Sequence, residues 1–504
     1  MSDRLLVEEL AKRLSGKALI GAELTDDDIK GIDIESLSAL VVSYFDKSKG
    51  VNLLDKAVLK AIAEMRREEK TPVQIEISKP VGFRPEAREI EPDFKIYTTE
   101  NRRTAATVDD FSSYFRDRLG RLRRVIESGR GLSSGLVYSI DKLNGYANGR
   151  EVTIVGMVYD KILTKKGNIL VTLEDESGIA KVIFTKPDAG RGTGIADAFG
   201  MASRIVHDEV IGIRGKIASP FLIANSVVWP EVPVRQRRKT EERVAMAFTS
   251  DIHVGSKLFQ ERQFSRFIEW LNGNIDKNKE LASRIKYIVI AGDVVDGIGV
   301  YPNQDKDLSI SDIYKQYSVL FDFLYDIPEY IHVFMLPGNH DAVQRAEPQP
   351  KLDAGLFKEL RQSNIHLLPN PAYIELHGIG ILSYHGTSLD SVIQGIQGCS
   401  YSRPETAMLE VLRKRHISPI YGDNPIMPGK RDPLVIDRVP DILHMGHLHR
   451  NGYMEYHGTE LINSGTWQAR TSYQVKLGHL PTPAVLPVYD AAEGSVWPVD
   501  FNEA

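Results

Sequence analysis

Apolar and polar positions change their period several times along this chain, and each change predicts a different module. Through about residue 70 the apolar positions recur at helical spacing: Leu5, Leu6, Leu10 and Leu14 first, then Leu54, Val58, Leu59 and Ile62. Thr25-Asp26-Asp27-Asp28 has the form of a helix start. A small helical module over 1–70 is expected. Between Thr71 and about Asp109 the period fades among Pro72, Pro80, Pro85 and Pro92. That composition predicts a linker, 71–109, with too few apolar positions to require order. From residue 110 the helical period returns, with Phe111, Tyr114, Phe115, Leu119, Leu122 and Val125 on one face and Arg116, Arg118, Arg121, Arg123 and Arg124 between them. The arginines read either as a solvated face or as a phosphate-contacting one, with Arg116, Arg121 and Arg124 the candidates.

From Glu151 to about Pro230 the period becomes two. Val152–Val158, Ile169–Asp175 and Ala180–Phe184 form a meander, its first turn at Lys165-Lys166-Gly167-Asn168. Val210–Ile217 and Ile223–Trp229 add two strands after an interruption, so a five-stranded OB-type β-barrel is expected within 110–235. Lys165 and Lys166 join the nucleic-acid-binding candidates. Beyond a short basic linker (Arg235, Arg237, Arg238, Lys239, Arg243), strands alternate with helices to the end. That pattern predicts a layered α/β domain over 236–504. The stretch Leu480–Pro498 is apolar enough to be a final edge strand or a partner surface.

The candidate chemistry sits at strand ends of this last domain. Five apolar runs lead into Asp251-Ile252-His253, Gly292-Asp293-Val294-Val295-Asp296, Gly338-Asn339-His340-Asp341, His385-Gly386 and Gly446-His447-Leu448-His449. An open α/β sheet places its ligand crevice at such ends. In extended chain Asp251 and His253 would face one way. Any one segment could be a polar strand cap; five in succession are not explained that way. In the third, Asn339 offers a neutral oxygen ligand, His340 a proton donor and Asp341 its orienter. Nitrogen and oxygen donors without thiolate favour two borderline divalent ions, Mn²⁺ first, with Fe²⁺ and Zn²⁺ as alternatives.

Composition bounds the rest. The 504 residues carry a formal net charge of -5 and are 42% hydrophobic, a globular balance with room for two to four domains. No uninterrupted apolar run approaches the ~20 residues a bilayer requires, so no membrane partner is expected. The N-terminus has no apolar signal core, and the single cysteine, Cys399, excludes an internal disulfide and a multi-cysteine zinc site. A cytoplasmic protein is the default expectation.

The five segments are similar to the calcineurin-like metallophosphoesterase superfamily, whose pattern is DxH, GDxxD, GNHD, H and GHxH. The resemblance covers about 244–470, including Asn463-Ser464-Gly465-Thr466. It implies an αββα sandwich, with Asp251, His253 and His449 on one metal, Asn339, His385 and His447 on the other, and Asp293 bridging them. His340 would donate the proton, and Asp296 would support the ligands from behind.

The module order, a helical start, a linker, an OB-type barrel and this domain, resembles the family of small subunits of archaeal family-D DNA polymerases. That resemblance implies a 3′–5′ exonuclease releasing nucleoside 5′-monophosphates. As partners it implies a large catalytic subunit, single-stranded DNA or primer 3′ ends, and a sliding clamp. The alternatives are a phosphoesterase acting on other phosphodiesters or on phosphoproteins, and a non-catalytic scaffold.

Overall fold

The computed structural model describes residues 83–97, 106–129, 137–187, 193–357 and 362–502, with separate stretches within 5–59. The chain divides into two compact units, Met1–Val81 and Gly82–Ala504. In the first, a helix spans Leu5–Arg13, and Leu10 and Leu14 are buried with Leu24, Ile29, Leu37, Val41 and Leu54. The purely helical expectation is incomplete, because Leu19–Ile20 pairs in parallel with Leu53–Leu54. Two-residue strands are too short to show alternation. Ile62 lies outside the described residues.

The second unit begins with a correction. Residues 83–97, expected in the linker, are ordered, and strand β1 (Phe94–Tyr97) pairs antiparallel along Tyr373–Leu376. Phe94 packs edge-on to Phe334 with ring centroids 5.3 Å apart. Four residues just past Pro92 are too few for a period-two signal, so composition alone misled. Of the remaining linker positions, 71–82 and 98–105 lie outside the described residues, while 108 and 109 already open the next helix.

Helix α1 (Val108–Ser128) starts at a capping box: Thr107 accepts from the Asp110 amide, and the Asp110 carboxylate accepts from the Thr107 amide. The barrel strands follow: β2 (Glu151–Leu163), β3 (Ile169–Asp175), β4 (Gly178–Phe184), β5 (Val210–Ala218) and β6 (Phe221–Val228), with helix α2 (Thr193–Ser203) between β4 and β5. Their order is β2-β3-β4-β6-β5, and β5 pairs back to β2, so the five-stranded sheet closes on itself. Alternate residues fill it, among them Ile154, Val158, Val171, Leu173, Val182 and Ile213, with Ala198 and Ala202 of α2 packed against them. Closure removes the unpaired strand edges.

Helix α1 fastens the barrel to the domain that follows. Arg118 is buried: its Nε lies 2.7 Å from Asp432 Oδ2, and its Nη1 donates to the carbonyls of Asp208 and Pro419. Arg121 pairs with Asp117 and Asp437 and donates to the Asp432 carbonyl. The arginines that looked like a nucleic-acid face are thus partly an internal dock, with only Arg116 and Arg124 of the three candidates exposed. Lys165 and Lys166 are exposed at the β2–β3 turn. The basic linker is also engaged, with Arg235 on Asp441 (3.1 Å), Arg237 on Glu460 (2.7 Å) and Arg243 on Glu280 (3.0 Å).

The last domain has four layers. Its first sheet uses β7 (Ala245–Thr249), β8 (Ile285–Ala291), β9 (His332–Leu336) and β10 (Ile365–Leu367), all parallel. Helices α3 (Glu261–Leu271) and α4 (Ile313–Tyr325) lie between the first three. The second sheet uses β11 (Ala372–Leu376), β12 (Ile379–Tyr384), β13 (Ile442–Met445), β14 (Asn451–Tyr456) and β15 (Thr459–Ser464), with helices α5 (Leu389–Gly395) and α6 (Pro404–Arg413) after β12. After helix α7 (Ser472–Leu477), the hairpin β16 (Val485–Asp490) and β17 (Ser495–Asp500) returns to the first sheet beside β7. Leu486, Val488 and Tyr489 of the apolar C-terminal stretch are core residues, while Trp497 is half exposed.

Strand β7 shows why both faces read as apolar. Met246 and Phe248 meet the second sheet, whereas Ala245 and Ala247 face Phe264, Phe267 and Trp270 of α3. A one-residue slip would drive the large side chains into the helix layer and overpack it, at about 1–3 kcal/mol. Helices α5 and α6 cover the outer face of the second sheet through Val392, Met408 and Val411. Among the described residues no helix is long and apolar enough to cross a membrane.

Candidate metal centre

The parallel strands of both sheets end at one place. Asp251 and His253 follow β7, Asp293 follows β8, Asn339–Asp341 follow β9, His385 follows β12, and His447 and His449 follow β13. The donors converge by turns rather than by extended chain. Asp251, His253, Asp293, His447 and His449 all have positive φ, between 51° and 66°. Left-handed backbone at a non-glycine residue costs about 1–3 kcal/mol and persists where the surroundings over-determine it. Glycine makes room beside them: a Cβ on Gly338 would lie 2.2 Å from Asp293 Oδ1, and one on Gly446 would lie 2.6 Å from Asp251 Oδ2.

The ligating atoms of Asp251, His253 and His449 lie within 4.8 Å of one another, as do those of Asp251, Asp293 and His385. His385 Nε2 is 3.3 Å from Asp293 Oδ2 and 2.9 Å from Asn339 Oδ1. His340 also comes within reach, in a third group with His253 and Asp293.

Partners behind the rings fix which nitrogen faces inward. His385 Nδ1 is 2.8 Å from the Ala291 carbonyl, and His253 Nδ1 is 3.0 Å from Asp296 Oδ1. Both partners only accept, so each Nδ1 carries a proton and each Nε2 is the ring atom that faces inward. His253 Nε2 stands 3.1 Å from His449 Nε2, which in turn lies 3.3 Å from Asp251 Oδ1. Carboxylates gathered around ring nitrogens in a buried pocket favour positive charge between them.

The electrostatics agree. Burial alone would lower His253 and His385, yet the surrounding carboxylates, Asp296 first for His253 and Asp293 for His385, raise them to about 9 and about 10. Burial would raise Asp293, yet His385, His340 and His253 hold it well below its ordinary value. The residues present therefore fit divalent cations.

His447 stands at the edge of the cluster. Its Nε2 is 2.8 Å from Asp390 Oδ2, and its ring centroid is 5.2 Å from that of His385. A carboxylate on Nε2 leaves Nδ1 as the ring's free ligand atom. Asp390, on α5, was not foreseen, and neither was Gln474 on α7, whose Nε2 is 2.9 Å from His449 Nδ1. The only sequence signal for Gln474 was its place three residues after Thr471 in a capping box.

One expected support changes role. His340 is not steadied by Asp341. Its Nδ1 donates to the Asp296 carbonyl at 2.8 Å. The Asp341 carboxylate turns the other way, accepting from the Gly338 amide (2.7 Å) and the Tyr317 hydroxyl (3.2 Å), and so shapes the loop. Burial and Asp293 raise Asp341 to about 6. Asp296 supports the site with its carboxylate on His253 and its carbonyl on His340. Burial lowers His340, against the pull of Asp293.

Residues 246–452, which hold all of these donors, match the family of B subunits of DNA polymerases alpha and epsilon. Three relatives carry the name DNA polymerase II small subunit. The one from Methanocaldococcus jannaschii is 41% identical over 392 residues, 77% of this chain and 64% of that one. That from Archaeoglobus fulgidus is 40% identical over 76% of this chain and 75% of its own length. That from Pyrococcus furiosus is 35% identical over 98% of this chain and 84% of its own length. The chain belongs to the family of archaeal DNA polymerase II small subunits. It spans about two thirds of the Methanocaldococcus jannaschii relative's length.

Proposed function

We propose that this chain is the 3′–5′ exonuclease subunit of a replicative DNA polymerase, hydrolysing terminal phosphodiesters and releasing nucleoside 5′-monophosphates. The observation that carries the reading is a buried pocket lined by carboxylates and imidazoles, with His340 at its side. Asp251, His253 and His449 would hold one divalent cation, and Asn339, His385 and His447 a second, with Asp293 between them. Mn²⁺ suits this nitrogen and oxygen set, and the domain would be a calcineurin-like phosphoesterase. Bound cations supply Lewis acidity at a phosphate oxygen and lower the pKa of water.

The chain's own residues do the rest. The Asp296 carbonyl holds the proton of His340 at Nδ1, so Nε2, 4.0 Å from Asp293 Oδ2, is the atom that meets substrate. Protonated there, His340 hands its proton to the departing 3′-oxygen as the P–O bond breaks and water's oxygen joins phosphorus. Asp293 is fixed by accepting from the His340 amide at 2.8 Å, which ties the proton donor to the cation cluster.

The family name, a small subunit, supports a larger catalytic chain as partner; primer 3′ ends as substrate and a sliding clamp as a further contact belong to the same proposal. The full-length chain with Mn²⁺ should release mononucleotides from single-stranded DNA faster than it hydrolyses a chromogenic phosphodiester or a phosphoprotein. Hydrolysis of a small diester alone would replace this reading with a general phosphoesterase. No hydrolysis of any of the three would leave a scaffold.

A further inference from the structure

His340 lies beside a loop that the mechanism does not use. The loop begins at Gly297, directly after Asp296, and runs to Asp307. Tyr301 on it is 39% exposed, with its ring centroid 6.3 Å from that of His340 and the two planes at 57°. Its hydroxyl donates to Asp307 Oδ2 at 3.1 Å. The loop is not left to find its own place. Gln304, 2% exposed, accepts from the Val300 amide at 2.9 Å and donates to the Asp296 carbonyl at 2.8 Å and to Asp296 Oδ2 at 3.2 Å. The Gly297 amide donates to buried Gln316 at 2.9 Å. Asp296 thus positions both Tyr301, through Gln304, and His340, through its carbonyl. The exposed Arg345 donates to the Val300 carbonyl at 2.9 Å, which puts a guanidinium beside the same loop.

Tyr301 keeps its ring partly exposed on a loop that Gln304 ties to Asp296, the residue that aims the proton donor. We propose that Tyr301 is the stacking platform for the base of the penultimate nucleoside, the one whose 3′-oxygen leaves. The inference rests on the exonuclease reading above. The proton from His340 goes to that 3′-oxygen, and the base of the same nucleoside is one sugar away. A π-face next to His340 therefore meets the base of the strand that remains, not that of the nucleotide released. Stacking is tolerant of sequence because every base has a π-face, which suits a subunit that must trim any 3′ end. Arg345 adds charge where the next phosphate of that strand would pass.

The test uses the full-length chain with Mn²⁺ and two single-stranded oligonucleotides that differ only at the penultimate position, one normal and one abasic. Affinity for each is also measured by fluorescence anisotropy without added metal. Wild type should lose on the order of tenfold in both terminal-nucleotide release and affinity on the abasic strand, the range expected for one stacked base. Tyr301→Ala should treat the two strands alike at the lower level, and Tyr301→Phe should keep the preference. A Tyr301→Ala variant that still discriminates by the wild-type factor, or a wild type that does not discriminate, overturns the proposal. Failure of wild type to release nucleotides from either strand removes the exonuclease reading itself and this proposal with it.

Discussion

Asp390 offers the sharpest test of how the metal centre is built. Its Oδ2 lies 2.8 Å from His447 Nε2. Burial would lower His447, and Asp390 reverses this and raises it. The contact fixes the tautomer and leaves Nδ1 as the ring's free nitrogen. Outer partners of this kind contribute about 10–100-fold in metal affinity, or about 1.4–2.8 kcal/mol. The Asp390 side chain is 43% exposed, so its charge is screened and the lower half of that range applies to the charge alone. Asp390→Asn still accepts through Oδ1 and loses only charge, so the weaker site should lose about tenfold in affinity. Asp390→Ala surrenders Nε2 to water and frees the ring, and should approach about a hundredfold. Competition for Mn²⁺ against a chromophoric chelator at fixed pH measures both. If both variants stay within about twofold of wild type, His447 does not ligate through Nδ1, and Asp390 is a rim carboxylate with no hold on the centre.

Three further outcomes are expected. His340→Ala should retain its cations and lose about 10²–10⁴-fold in hydrolysis; loss of a cation on metal analysis would instead make His340 a ligand. Arg118→Leu leaves Asp432 buried with His416 as its main remaining partner, and should cost up to about 3–5 kcal/mol in urea unfolding. Arg118→Leu with Asp432→Leu should recover part of this, and a single-variant cost below about 1 kcal/mol would show that the dock does not depend on the pair. His444, buried and hydrogen-bonded to Ser383 and Ser464, is lowered by burial to about 3. Below its unfolded value near 6.5 the unfolded chain binds the extra proton, so stability is full above that pH and falls as pH drops toward 3. The loss should reach about 2.7 kcal/mol at pH 4.5, and His444→Gln should flatten it. An unchanged slope in that variant would assign the acid lability elsewhere.

The donors were legible because each follows an apolar run, and strand ends are where a layered α/β domain gathers its side chains. The barrel was legible from its period and turns. What escaped the sequence was contact between distant residues. Asp390 meets His447 from 57 positions away, and Arg118 meets Asp432 across 314. Without those partners a buried arginine reads as a surface one. Asp341 escaped differently: a carboxylate next to a histidine suggests a pair, but its neighbours in space are the Gly338 amide and Tyr317. The left-handed turns at the donors leave no mark in composition, because they arise from the crowding at the strand ends.

The proposed chemistry depends most directly on Asp293, whose Oδ2 lies 3.9 Å from His253 Nε2 and 3.3 Å from His385 Nε2. The decisive measurement is mononucleotide release from the 3′ end of a labelled single strand by the full-length chain, stripped with chelator and resupplied with Mn²⁺, alongside Asp293→Asn. Two cations per wild-type chain are expected, with nucleoside 5′-monophosphate as product only when Mn²⁺ is present, and loss of both cations and product in Asp293→Asn. Release that persists in chelator, or at the wild-type rate in Asp293→Asn, would contradict a two-cation exonuclease bridged by this carboxylate.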